Sequence, residues 1–271
     1  MKQVRNILFV FTIALLATVI SCKDGGGVSD LFFPVENDVD LGASVAAQIA
    51  ADPNQFPVLP VAEYPEAYAY LNAMMDDILS SDDIQYRDIF AYDELKIIQQ
   101  DDVLNAFATP GGYIYVYTGL IKFLDNADDL AGVLGHEVAH AELRHSVDQM
   151  KQTLGIQFLL SIALGEGTAS DVATLASNLL SLKFSRDDES ESDEYSVIYL
   201  GDTDYACNGA ATFFEKLVDA GSGGGPEFLS THPAPDNRVE DINAKATADG
   251  CSTSGISEQG FTYADFKASL P

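Results

Sequence analysis

Positive charge is scarce in this chain: 14 Lys and Arg stand against 42 Asp and Glu, a formal net charge of −28. A surface so acidic is repelled by nucleic-acid phosphates and by anionic lipid headgroups, so no nucleic-acid partner is expected. Long apolar runs are missing too. The run from Ile7 to Ile20 falls short of the ~20 residues that a membrane-spanning helix needs. A second, "LGIQFLLSIALG" at 154–165, is shorter still and reads as a buried helix. No repeat of about 20 to 50 residues is visible, which argues against a helical-repeat array. Cysteine is limited to Cys22, Cys207 and Cys251, and histidine to four positions.

What is present suffices for a folded body. The 271 residues are 47% hydrophobic, enough for one large core or two small ones. The N-terminus, "MKQVRNILFVFTIALLATVISC", sets Lys2 and Arg5 ahead of the apolar run, the pattern of a cleaved signal segment. "VISC" followed by "KDGGG" resembles a bacterial lipobox, which makes Cys22 the expected lipidated first residue of the mature protein. The expected organisation is a signal peptide over 1–21, a lipidated N-terminus and flexible tether over 22–35, and a folded domain over 36–271. The address implied is the bacterial cell envelope, periplasmic or surface-facing, with membrane attachment through the N-terminal lipid. Losing Lys2 and Arg5 leaves the mature body more acidic still. In an oxidising exported compartment Cys207 and Cys251 are expected to pair, although sequence alone does not show that they meet.

Apolar periodicity predicts helices over 36–51, 62–80, 126–150, 154–180, 187–200 and 208–220. Between 86 and 121 the pattern changes to short β-like runs, "YRDIFAY", "LKIIQQ", "LNAFATP" and "GGYIYVYTGLI". In the last of these Tyr113, Tyr115 and Tyr117 alternate with Ile114 and Val116, giving one aromatic and one aliphatic face. "GSGGG" at 221–225 reads as a loop. The sum is a single α+β domain.

Chemistry concentrates in "GHEVAHAELRH", residues 135–145, which holds three of the four histidines. Positions four apart lie one turn apart on one helix face, so His136 and His140 can grip a single Zn²⁺ from one rigid element. Glu137 sits beside the first of them, placed to reach a water at the metal instead of the metal itself. Asn126 caps the predicted helix, and Asp128 and Asp129 suit its first turn. A catalytic zinc takes three protein ligands and leaves a fourth position open, so a third ligand must come from elsewhere. "FSRDDESESDEYSVIYL" at 184–200 supplies Glu189 and, one turn on, Asp193, which can accept from a ligand histidine and fix its tautomer. Against this, acidic runs are usually solvated faces. The apolar flanks "LLSLKF" and "YSVIYL" favour a buried helix with its acids turned inward on one side.

Four segments occur in order: "NAFATPGGYIYVYTGLI" (105–121), "LAGVLGHEVAHAELRH" (130–145), "SRDDESESD" (185–193) and "FLSTHPAPDNRVEDI" (228–242). Together they resemble the metallopeptidase family of HtpX and the CAAX prenyl proteases, in its soluble or lipid-anchored bacterial branch. The resemblance covers roughly residues 36–245. It implies a mainly helical zincin-like domain with a small sheet beside the H-E-x-x-H helix. It also implies one zinc held by His136, His140 and Glu189, with Glu137 as general base and Asp193 behind the ligands. Ser192 departs from the alanine that relatives often carry. The activity implied is endopeptidase cleavage of unfolded or misassembled envelope proteins.

Substrate would lie as an added strand along the segment containing Asn105, Gly112 and Tyr113, a mode that selects extended chains. His232, before Pro233, either stabilises the oxyanion, or occupies the open metal position and keeps the protein latent, or only pins its loop. Two rival readings are a chaperone-like lipoprotein that grips extended chains with little proteolysis, and a zinc hydrolase of small envelope substrates. The intact H-E-x-x-H argues against the first and the strand-like edge against the second.

Overall fold

The computed structural model describes residues 33–219, 227–233, 237–255 and 257–271. The signal-like segment, Cys22 and the glycine run at 221–225 lie outside these residues. The described chain is α+β and mainly helical. Helix α1 (Glu36–Ala51) buries Leu41, Val45 and Ile49, four residues apart, on one stripe. Helix α2 (Pro65–Ile78) starts on a proline, whose fixed φ suits the first turn, and buries Ala67, Leu71, Met74 and Ile78.

Three short strands follow: β1 (Lys96–Ile98), β2 (Ala106–Ala108) and β3 (Ile114–Tyr117). Their order is β1-β3-β2, with β3 parallel to β1 and antiparallel to β2. Side chains alternate across a strand, so β3 feeds two cores at once. Ile114 and Val116 enter the larger one, with α2 and the helices that follow the sheet, while Tyr115 and Tyr117 enter a smaller one shared with α1.

Past the short α3 (Thr118–Phe123) comes α4 (Ala127–Glu142), in which every residue is buried. Asn126 Oδ1 accepts from the Asp129 amide at 2.9 Å and caps it. Such burial requires close neighbours, and small residues permit them. A Cβ on Gly132 would lie 2.0 Å from the amide nitrogen of Ala210, so the backbone of α9 (Gly209–Asp219) crosses directly over it. Ser196 Oγ of α8 (Arg186–Leu200) donates to the Gly132 carbonyl at 2.9 Å from another side. The site helix is thus held in the middle of the domain.

Three sequence expectations change. "YRDIFAY" is not a strand: the amides of Tyr86 and of Gln85 just before it, and the Tyr92 hydroxyl, all donate to the buried Glu142 carboxylate, which coils the segment into turns. The helix expected over 126–150 breaks after Glu142, because Arg144 takes a left-handed conformation (φ 59°, ψ 26°), and α5 (His145–Thr153) restarts in a new direction. The helix expected over 154–180 is two, α6 (Ile156–Ala163) and α7 (Ala169–Leu180). Gly165 at φ 73° ends the first, and a Thr168–Asp171 capping box starts the second.

The chain closes with α10 (Glu227–Thr231), α11 (Arg238–Asp249) and α12 (Tyr263–Ser269). Cys207 and Cys251 form a disulfide with Cα atoms 6.2 Å apart, tying the approach to α9 to the end of α11. Among the described residues no helix is long and apolar enough to cross a membrane.

Candidate metal centre

Two helices build the site. From α4, His136 and His140 turn their Nε2 atoms toward each other, 3.0 Å apart. Helix α8, started by a Ser185–Asp188 capping box, crosses α4 and sorts its acidic run by helical period. Glu189, Ser192, Asp193 and Ser196 are buried, whereas Asp187, Ser190, Glu191 and Glu194 face solvent. Glu189 brings Oε2 to 3.5 Å from His136 Nε2 and Oε1 to 3.4 Å from His140 Nε2. Asp193 Oδ1 stands 2.9 Å from His136 Nδ1, on the far side of the ring. Glu137, between the two histidines in sequence, accepts from the Ala108 amide of β2 through Oε2 at 3.0 Å. His232 enters from the end of α10 with Nδ1 2.9 Å from Glu189 Oε1 and Nε2 3.6 Å from Glu137 Oε1. Its ring stacks on Phe228.

One ligand atom from each of His136, His140, Glu189 and His232 lies within 4.8 Å of the other three, and all four residues are buried. Imidazole nitrogens with one carboxylate are the donor set that zinc takes. Glu137 Oε1 is buried with no hydrogen-bond partner. A buried carboxylate oxygen left unpaired is costly, which marks a place built for something that binds it. The residues therefore fit a metal ion.

The electrostatics agree with an electron-rich pocket. Burial pushes Glu137 above the ordinary carboxylate range, with His232 and His136 pulling it back. Burial acts the same way on Glu189, but the charge of His232 and hydrogen bonds from His136 and His140 hold it well below that range. Burial and Arg238 oppose the imidazolium of His136, yet Asp193 and Glu189 outweigh them and raise it to about 9. Burial keeps His140 neutral, far below the usual histidine value.

Residues 65–246 match peptidase family M48. The chain belongs to that family. Among its M48 relatives, metalloprotease LoiP of Escherichia coli K12 is 32% identical over 161 residues, 57% of this chain and 63% of LoiP. A putative beta-barrel assembly-enhancing protease of Vibrio cholerae is 31% identical over 161 residues, 54% of this chain and 33% of that protein. Mitochondrial metalloendopeptidase OMA1 of Arabidopsis thaliana is 34% identical over 143 residues, 52% of this chain and 29% of OMA1. The chain thus spans from under a third to under two thirds of the relatives it matches.

Within the M48 match the structure brings His136, Glu137, His140, Glu189, Asp193 and His232 together. Asn105 lines a cavity that also touches Glu137 and His232, with Phe107, Ala108, Leu179, Leu182 and Phe184. Gly112 and Tyr113 do not. Strand β3 is central in the sheet and has no free edge, while Gly112 packs on Phe90 and Tyr92 and Tyr113 lies against Gly42 of α1. The edge beside the site is β2.

Two residues given no role from sequence matter here. Arg238 forks onto Asp193, Nε to Oδ2 at 2.6 Å and a terminal nitrogen to Oδ1 at 2.7 Å, and its other terminal nitrogen reaches Glu189 Oε2 at 3.0 Å. His145 backs His140. Arg238 sits in the same motif as His232, but nothing in spacing shows that it points at α8.

Proposed function

We propose that this chain is a zinc-dependent endopeptidase, one zinc per chain, that cleaves unfolded or misassembled proteins of the bacterial cell envelope. The observation that carries the reading is the buried convergence of two imidazoles and one carboxylate, with a second carboxylate, Glu137, at its rim. His136, His140 and Glu189 would hold the zinc. When bound, zinc supplies a Lewis acid that polarises a peptide carbonyl and makes a water more acidic. Glu137 takes a proton at its unpaired Oε1 and returns it to the leaving amine, while Ala108 fixes its other oxygen. Asp193 holds the His136 ring through Nδ1, and Arg238 holds Asp193.

Substrate in this proposal pairs with β2. Asn105 and Thr109 already bond to Tyr117 and Tyr113 through their main chains, so alternation turns the Ala106 main chain and the Ala108 carbonyl toward the outer edge, while Glu137 holds the Ala108 amide. Only an extended chain can add there, which favours unfolded segments. For His232 we infer a latent arrangement in which it fills the fourth position. Its place in the four-residue cluster supports that role over the oxyanion role. Residues 36–271 would form one metallopeptidase domain, preceded by a signal over 1–21 and a tether over 22–35 lipidated at Cys22. The name of one bacterial relative, a putative beta-barrel assembly-enhancing protease, supports an envelope address.

Incubating purified protein with unfolded casein tests the reading. Cleavage that stops with a chelator and returns with zinc is expected. Casein bound but left intact, with zinc present, would instead favour the chaperone-like alternative.

A further inference from the structure

In a continuous helix, residues five apart stand about 140° apart around the axis and cannot touch. His140 and His145 are five apart, yet their Nδ1 atoms lie 3.0 Å from each other and their rings meet edge to face. The contact exists because α4 stops and Arg144 turns the chain through a left-handed conformation, re-aiming His145 at the back of His140. Left-handed geometry is costly for a non-glycine residue and persists only where its surroundings impose it. Here Arg144 donates to Asp38 of α1 at 2.7 and 2.9 Å and to the Phe33 carbonyl at 2.9 Å, all buried.

We infer that His145 is a positioning residue for metal binding, holding His140 in the tautomer and ring orientation that point Nε2 at the site. Two nitrogens at hydrogen-bond distance need one proton between them. With Nε2 of His140 turned to Nε2 of His136, the proton sits on His140 Nδ1 and His145 Nδ1 accepts it. His145 must then carry its own proton on Nε2, where Glu191 Oε2 stands 3.4 Å away at the surface. Ser192 Oγ lies 3.3 Å from His145 Nδ1 and closes the third side. Each candidate ligand histidine thus has its own support: Asp193 with Arg238 behind His136, and His145 behind His140. The supports differ in kind, since a neutral imidazole accepts without adding charge.

The inference rests on the zinc reading, and the test separates the two. Zinc affinity is measured by chelator competition in the full mature chain and in His145→Asn, His145→Gln and His145→Leu. Asparagine places an acceptor where Nδ1 stands, whereas glutamine carries it one bond further out and leucine has none. Expected is zinc binding within a few-fold of wild type for His145→Asn, and about 10- to 100-fold weaker for His145→Gln and His145→Leu. Metal-free thermal unfolding verifies that each variant folds, and the Asn and Gln pair keeps the comparison if the leucine variant does not. Wild-type protein that binds no zinc would overturn the zinc reading itself. Normal wild-type binding with equal affinities across the variants, or equal losses for Asn and Gln, would overturn the role of His145 alone.

Discussion

The backbone amide of Ala108 donates to Glu137 Oε2 at 3.0 Å, joining edge strand β2 to the carboxylate proposed as general base. One strand therefore both carries the edge proposed to pair with substrate and aims the group proposed to handle the proton. Extended substrate paired there and the proposed base would be registered to each other by a single backbone residue.

Glu137→Gln should keep that hydrogen bond and the fold but lose the base. Zinc content by elemental analysis should stay near one per chain while casein cleavage falls by roughly 10² or more. Substantial residual turnover in a zinc-loaded Gln variant would remove Glu137 from its role.

Glu189→Ala should lower zinc occupancy, since a ligand is lost. Zinc binding should also be proton-linked, because His136 is raised to about 9 and must give up its proton to coordinate. Below pH 9 affinity should thus climb with pH, approaching tenfold per unit. Titration calorimetry in buffers of different ionisation enthalpy would reveal the released proton. Binding that is flat between pH 6 and about 8.5 would contradict this.

His232→Ala should raise proteolysis, because the residue proposed to fill the fourth position is gone. A fall of about 10² to 10³ with zinc retained would mark it instead as an oxyanion donor. One casein assay on one variant tells the two apart.

Asp38→Ala should destabilise the fold by about 3 to 5 kcal/mol, as it strands the buried Arg144 guanidinium. Urea unfolding of the metal-free protein measures this. A change under about 1 kcal/mol would mean that Arg144 keeps its left-handed turn without α1.

Cys22→Ser, expressed in a bacterial host, should shift the protein from the membrane fraction to the soluble periplasm. Unchanged fractionation would point to attachment by other means.

Much of the site is legible in the chain because it is built on local periodicity. His136, Glu137 and His140 share a face by helical spacing alone, and Asn126 announces the start of their helix. The acidic run at 187–194 carried opposite meanings until packing sorted it. The same spacing that makes Glu189 and Asp193 neighbours would serve a solvated face equally well. Which side of α8 turned inward depended on Gly135 and Ser196 letting two backbones approach.

The sequence by itself determined the α+β class, the central helix and the choice of histidines, since these follow from periods of 3.6 and 2 and from caps. Only the tertiary structure decided that β2 and not β3 lies at a sheet edge beside the site, because strand order is a matter of long-range pairing. It likewise decided that α4 ends at Glu142, since Arg144 adopts its disfavoured conformation only against Asp38, 106 residues earlier. Arg238 and His145 became visible for the same reason: their partners are close in space through turns and crossings that no local pattern encodes.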